Sequence, residues 1–422
     1  MNNVETLLGD VKIPRMAKAR LYFSKDKIEH VEAALSEKFR DFSPTRPVLP
    51  GQQIAITCGS RGIANAAVIL KGIVDYVKSM GGIPFIVPAM GSHGGATAEG
   101  QRSMVESLGI NEEIIGCEIR SSMDTVELER AADGEMVYVD KNAFEADAII
   151  LFNRIKAHTS FRGKHESGLL KMMVVGLGKQ KQAVIFHNKG PQFYEEKLEM
   201  YAEVMMRHLK IVCGVGVVEN AYDETAIIEV LNKEEIWEEE KTLLKKAFGL
   251  MPSIPIHDLD VLIVDEIGKE ISGNGMDPNI TGRFDNEYTT GGVNAQRCVV
   301  LDLTDKTHGN ITGLGMADLT TQRASRKISY ENSLPNVITN NVVELIKVPA
   351  VLENDRLAIQ AAIATLTFTD KEHPRMIRIK NTADLNEIYV SEALKEECSH
   401  MNMVQWESEF QEMDFDSQGN LF

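Results

Sequence analysis

Short continuous apolar runs alternate along this chain with stretches whose apolar positions recur every three or four residues, the pattern of buried strands followed by amphipathic helices. Residues 54–58 are one such run, followed by the turn Gly59-Ser60-Arg61-Gly62. Beyond it Ile63, Ala67, Leu70, Val74 and Val77 predict a helix that Gly81-Gly82 ends. Residues 83–87 predict a second buried strand, and the βαβ unit so formed predicts a parallel sheet with a right-handed crossover. Further strands are predicted at 148–152 and 211–218, and helices at 194–208 and 234–248. In the last helix Glu238, Glu239 and Glu240 precede Lys245 and Lys246, an order that suits the helix dipole and reads as a solvated face, with Gly249 as the stop.

Gly249-Leu250-Met251-Pro252-Ser253-Ile254-Pro255 reads as a linker, because a glycine and two prolines interrupt regular structure. After it, 259–264 and 298–303 predict strands separated by a long glycine-rich loop, a length that usually carries function. The fold class expected is therefore α/β: two α/β domains with an active-site cleft between them. Residues 1–255 would form a catalytic, cofactor-binding domain and residues 256–422 a second α/β domain with an acidic tail. That tail, 406–422, carries five acidic groups and is expected to be mobile or weakly docked.

Composition narrows the function classes. A formal charge of −17 opposes a nucleic-acid partner, since phosphate binding is driven by clustered Lys and Arg. Arg154, Lys156, Arg162 and Lys164 nevertheless form a local basic patch suited to an anionic small molecule. No apolar run reaches the roughly 18 residues that span a bilayer, so no membrane partner is expected. Met1-Asn2-Asn3-Val4-Glu5 lacks a charged-then-apolar signal pattern, and the cytoplasm is the expected compartment. The five cysteines include no C-x-x-C pair and read as thiols in a reducing compartment.

The candidate chemistry is concentrated in residues 153–187, which hold His158, His165, Lys171 and His187 although the chain has only 10 histidines. Histidine titrates nearest working pH and is the commonest nitrogen ligand for transition metals. His93 sits in Gly91-Ser92-His93-Gly94-Gly95, where a backbone without side chains can approach a ligand, and Thr97 is suited to cap the next helix. In a doubly wound sheet Arg61, His93 and His158 would all face one crevice beyond the carboxyl strand ends. Gly176-Leu177-Gly178-Lys179 lacks phosphate-loop spacing, and Gly214-Val215-Gly216 lacks the third glycine of a dinucleotide fingerprint. In the second domain Asn279 and Arg283 are candidates for a substrate carboxylate or hydroxyl, with Asp265 and Glu266 supporting Arg283 or capping the loop.

Arg61 after the first strand, Gly91 to His93, His158 shortly before a glycine and a lysine, and His187 sixteen residues after Lys171 together resemble the lactate racemase family of nickel-pincer-nucleotide-dependent 2-hydroxy acid racemases and epimerases. The resemblance runs through about the first 255 residues and more weakly beyond. It implies an isomerase that inverts a 2-hydroxy acid or sugar acid by reversible hydride transfer to a lysine-linked nickel-pincer nucleotide, the nickel complex of pyridinium-3,5-bisthiocarboxylic acid mononucleotide. Lys171 would hold that cofactor and His187 would complete the nickel coordination. His93 and His158 would be the acid–base pair, Ser60 and Arg61 would contact the cofactor, and Arg61 would also anchor the substrate. Proteins of cofactor biosynthesis are then implied partners. Cys58 stands where the family has an aspartate, which implies an altered cofactor contact.

Physical reasoning favours the same division of labour. Removing the Cα proton of a 2-hydroxy acid leaves a carbanion beside a carboxylate, whereas removing a hydride leaves a neutral ketone but requires an acceptor no side chain supplies. Two histidines can serve the hydroxyl proton of either enantiomer. Two other readings fit the residues: a zinc metallohydrolase with His93, His158 and His187 as ligands, and a non-enzymatic protein that closes on a small anion.

Overall fold

The computed structural model describes residues 3–422. The chain divides into two compact units, one of 24–251 and the other of 252–422 together with the N-terminal segment up to residue 23. The first 23 residues thus leave the domain expected for 1–255. The reason is backbone pairing: Met16–Leu21 is an antiparallel strand between Asp384–Ser391 and Val404–Trp406.

In the 24–251 unit six strands form one sheet in the spatial order Glu118–Ile119, Ile83–Pro88, Gln53–Cys58, Ala148–Arg154, Ile211–Glu219, Thr225–Asn232. The first five are parallel and the last antiparallel. The strands read as unbroken apolar runs because both faces are covered. Ala55, Phe85, Ile149 and Leu151 enter one buried cluster, while Ile54, Ile56, Ile86, Ile150 and Phe152 enter the other. The helix Ala66–Ser79 buries Ile69, Leu70, Ile73, Val74 and Val77 on the second face; Leu70, Val74 and Val77 belong to the predicted stripe, whereas Ile63 precedes the helix and Ala67 is half-buried. From Gln53–Cys58 the chain moves outward to Ile83–Pro88, then returns to pair Ala148–Arg154 on the other side. The reversal puts a topological switch point at the carboxyl ends of those strands, where crossovers leave in opposite directions and open a crevice.

The other unit has an eight-stranded sheet in the order Ala350–Leu352, Leu319–Thr321, Asn294–Leu303, Asp258–Ile267, Met376–Asn381, Asp384–Ser391, Met16–Leu21, Val404–Trp406. Its first five strands are parallel and the rest antiparallel. Both units are α/β. The glycine-rich loop expected after the strand at 259–264 contains a short helix, Pro278–Thr281, capped by Asp277.

Two expectations are corrected. The acidic tail is docked: Gln411 bridges Met16, Leu421 N–H donates to Asp355 at 2.8 Å, and Arg356 N–H donates to the Gly419 carbonyl at 2.9 Å. Backbone pairing outweighs its charge. The run Glu238 to Glu240 is not a uniformly solvated face either, because Glu240 is 1% exposed and faces inward.

Candidate active site

Two loops leave neighbouring strands at the carboxyl end of the 24–251 sheet and meet through side chains. Ser60, after Gln53–Cys58, hydrogen-bonds His93 Nδ1, after Ile83–Pro88. The His93 loop turns on Gly91 and Gly94, whose φ values of +58° and +66° suit residues without a Cβ. At Gly94 a Cβ would also meet the Gln101 backbone nitrogen at 2.6 Å. The Gln101 amide donates to the carbonyls of Gly91 at 3.0 Å and His93 at 3.2 Å, and its oxygen accepts from Lys179 at 3.0 Å. Thr97 caps the following helix by accepting from Gly100 N–H.

Across the switch point, Ala148–Arg154 feeds a loop closed by a backbone bridge between Lys156 and Ser167. Inside it His158 N–H donates to Glu166 at 2.6 Å, and Ser160 N–H donates to His158 Nδ1 at 3.0 Å. His158 Nε2 lies 2.5 Å from Lys171 Nζ. The ring of Phe161 packs on His158 with centroids 4.5 Å apart. Lys171 ends a single helical turn, Leu169–Lys171, that widens into the π-helical turn Met172–Gly176. The start of that turn is held by Glu240, which accepts from Leu169 and Leu170 N–H and contacts His165 Nδ1 at 3.1 Å. These amides are orphan donors at a helix start, and a buried carboxylate is a strong acceptor for them.

The electrostatics favour neutral forms. Burial, then the charges of Lys156 and Arg61, lower the Lys171 amine from 10.5 to about 7, against a smaller upward pull from Glu166. Burial, followed by Lys171 and His187, holds His158 well below the ordinary imidazole value. His187, at the end of the helix Lys179–His187, falls to about 4 through burial and then Lys171, while a hydrogen bond to the Ala183 backbone acts upward. Tyr194 meets the His187 ring edge-on at 5.5 Å. Arg61 is lowered by desolvation and by Arg154.

The sequence candidates therefore join as a linked set within one unit: Ser60 with His93 by a hydrogen bond, Lys171 with His158 by contact, and Arg61 and His187 through their charge effects on that pair. Asn279 and Arg283 belong to the other unit. Asn279 bonds Asp277 at 2.9 Å, and Arg283 donates to Asp318 at 2.9 Å and the Ala295 carbonyl at 2.8 Å. The expected support of Arg283 by Asp265 or Glu266 is not what forms, because Arg378 takes Asp265 at 2.7 Å and Asn381 takes Glu266 at 3.0 Å. The basic patch is partly neutralised, Arg154 by Glu219 and Arg162 by Glu166. Cys58 is a buried thiol pushed up to about 12 by desolvation. Among the described residues no group of three or more His, Cys, Asp or Glu side chains is placed to hold a metal ion, so the three-histidine zinc site does not assemble.

Glu166 and Gln101 escaped the sequence reading, which gave Lys179 and Glu240 other roles. Lys179 closed the rejected Gly-Leu-Gly-Lys fragment. It is instead a fully buried residue at φ +55° whose amine bonds the Pro88 carbonyl and lies 3.1 Å from Asp140. Nothing in local spacing separates such a lysine from a solvated one.

A doubly wound α/β unit with a half-buried lysine and histidine in contact at its switch point defines the class of the site. Residues 6–199 match the family model described as lactate racemase N-terminal domain. The match covers 194 of the chain's 422 residues, and this stretch is similar to that domain. It is also similar to the structure of the lactate racemase apoprotein from Thermoanaerobacterium thermosaccharolyticum, with 13% identity, a TM-score of 0.49, and coverage of 80% of this chain and 88% of that one. No curated protein matches the chain. No helix among the described residues is long and apolar enough to cross a membrane.

Proposed function

We propose that this protein is an isomerase that racemises or epimerises a 2-hydroxy acid, with a nickel-pincer nucleotide attached to Lys171 and His187 as the protein's ligand to nickel. The observation that carries this reading is the state of Lys171. A half-buried, desolvated amine near pKa 7, in contact with His158, is a nucleophile at neutral pH, as a lysine that must form a covalent bond requires. His187 fits a nickel ligand for a related reason: its imidazole stays neutral far below pH 7. Its ring hydrogen bond to the Ala183 backbone resembles the second contact that metal-bound histidines make. Lys156 and Arg61 supply positive charge for an anionic cofactor or substrate.

When bound, the nickel group supplies the hydride-accepting capacity that side chains lack. The chain's own residues do the rest. His93, its Nδ1 fixed by Ser60, and His158 serve as the two groups that hold and return the substrate hydroxyl proton from opposite orientations. Arg61 pairs with the substrate carboxylate. Arg283 and Asn279 stand as further candidate contacts, and an Arg283→Lys variant with unchanged KM would remove Arg283 from the reading. The reaction is expected in the cytoplasm, with the proteins that synthesise and insert the cofactor as partners.

The experiment is co-production with those proteins, followed by intact mass, nickel analysis and a screen of 2-hydroxy and sugar acids for inversion. An adduct on Lys171, absent in Lys171→Ala, and nickel lost in His187→Ala support the reading. Full activity and nickel in both variants would overturn it.

A further inference from the structure

Two hydrogen bonds fix where the protons sit between His158 and Lys171. Ser160 N–H donates to His158 Nδ1, so Nδ1 holds a lone pair. A neutral imidazole keeps one ring proton, which must then be on Nε2. Nε2 is the atom 2.5 Å from Lys171 Nζ. An ammonium has donors only and would meet that proton head on, whereas a neutral amine offers a lone pair. Only one protonation state satisfies both bonds: Nε2–H of His158 donating to an uncharged Lys171. The orientation is held from three sides, by Ser160 N–H on Nδ1, by Phe161 on the ring and by Glu166 on the His158 backbone.

We propose that the uncharged Lys171 amine is the acceptor that holds the His158 proton until the amine is acylated, and that acylation redirects that proton from Lys171 to the substrate. This rests on reading Lys171 as the attachment point. In the acylation step a bond forms between Nζ and the carbon of an activated acyl or thioacyl donor, the donor's leaving group departs with the bonding pair, and one Nζ proton passes through solvent to that leaving group. The product is an amide or thioamide, whose nitrogen lone pair is delocalised by resonance and no longer accepts a hydrogen bond. Nε2–H then loses this acceptor while the contacts that orient the ring remain. Proton transfer by His158 is thereby tied to prior modification of Lys171. The charged and titratable groups acting on the pair are His187, Lys156, Arg162, Glu166 and Arg61, and they act before and after modification alike.

The test uses the full chain with 15N-labelled histidine, its His158 signals assigned with His158→Gln, at pH 8. N-Succinimidyl acetate is the acyl donor, and peptide mass mapping locates the acetyl group. The unmodified protein is expected to show the Nε2–H tautomer with a strongly hydrogen-bonded proton, and Lys171 to be acetylated ahead of surface lysines. After acetylation, and equally in Lys171→Met, that proton should move upfield and exchange faster with water, with the tautomer unchanged. An Nδ1–H tautomer or an imidazolium in the unmodified protein overturns the proposal. So does acetylation of Lys171 no faster than that of surface lysines, or an Nε2–H signal that neither acetylation nor Lys171→Met moves. None of these measurements uses the nickel cofactor, so the proposed isomerase function is decided separately by the adduct and nickel analysis.

Discussion

Replacing Lys171 with Met should stabilise the 24–251 unit more and more as pH falls from 10 to 7. The substitution keeps an unbranched side chain of similar reach and removes the amine. With a native pKa of about 7 against 10.5 for an ordinary lysine, the unfolded chain binds more protons at this site over that whole interval, so the wild-type native state loses stability as pH falls. The penalty is absent above the unfolded pKa, grows below it, and is complete once pH passes under about 7. Worked at about 1.4 kcal/mol per tenfold change, it reaches roughly 4 kcal/mol at pH 7, an upper figure because solvent screens part of the side chain. Against it, the variant leaves His158 Nε2–H without its lysine acceptor, a cost of about 1–3 kcal/mol that does not follow the lysine titration. The diagnostic quantity is therefore the pH dependence of the difference, about 3 kcal/mol between pH 10 and 7. Urea unfolding followed by Trp237 in a Trp406→Phe background reports this unit, since the chain has only these 2 tryptophans and Trp237 packs edge-on against His165 within it. A difference that stays flat with pH would refute the neutral, desolvated amine.

Competitive acetylation across a pH series should give Lys171 a midpoint near 7, while surface lysines climb toward 10 or above; a Lys171 profile parallel to theirs counts against the burial argument. Glu240→Ala removes the acceptor of two buried amides at the start of the Lys171 turn. It should cost about 2–4 kcal/mol in urea unfolding and slow Lys171 acetylation, whereas an effect on neither would mean the turn is held by other contacts. Lys179→Met leaves Asp140 buried without its cation and should cost about 3–5 kcal/mol, much of it recovered in Lys179→Met/Asp140→Asn; no recovery would show that the pair is not the reason. His187 should hold its neutral-form NMR shifts in the cofactor-free protein as pH falls from 8 to 5 and titrate near 4, so a midpoint near 6.5 would contradict its burial.

The sequence by itself determined the α/β class, the alternation of strand and helix through the 24–251 unit, and the residue types of the candidate site. Those features are local: apolar runs 54–58, 83–87 and 148–152 could be buried on both faces only in a covered parallel sheet, and the turns after them had to carry polar residues. Arg61, His93, His158, Lys171 and His187 could be named as candidates because glycine-rich turns and clustered histidines are conspicuous in one dimension. Tertiary structure decided everything that depends on partners distant along the chain. It assigned Met16–Leu21 to the far unit, because a strand's partner is set by sheet edges and not by its own composition. It turned Glu240 inward to meet the amides of Leu169 and Leu170, and made Lys179 a buried brace beside Gln101. Most of all it made Lys171 chemically distinct from the chain's solvated lysines. Its depressed pKa comes from burial and from Lys156 and Arg61, and the contact with His158 requires a loop closed by Ser167 on Lys156. A side chain's identity is written in sequence, but its protonation state is a property of its surroundings.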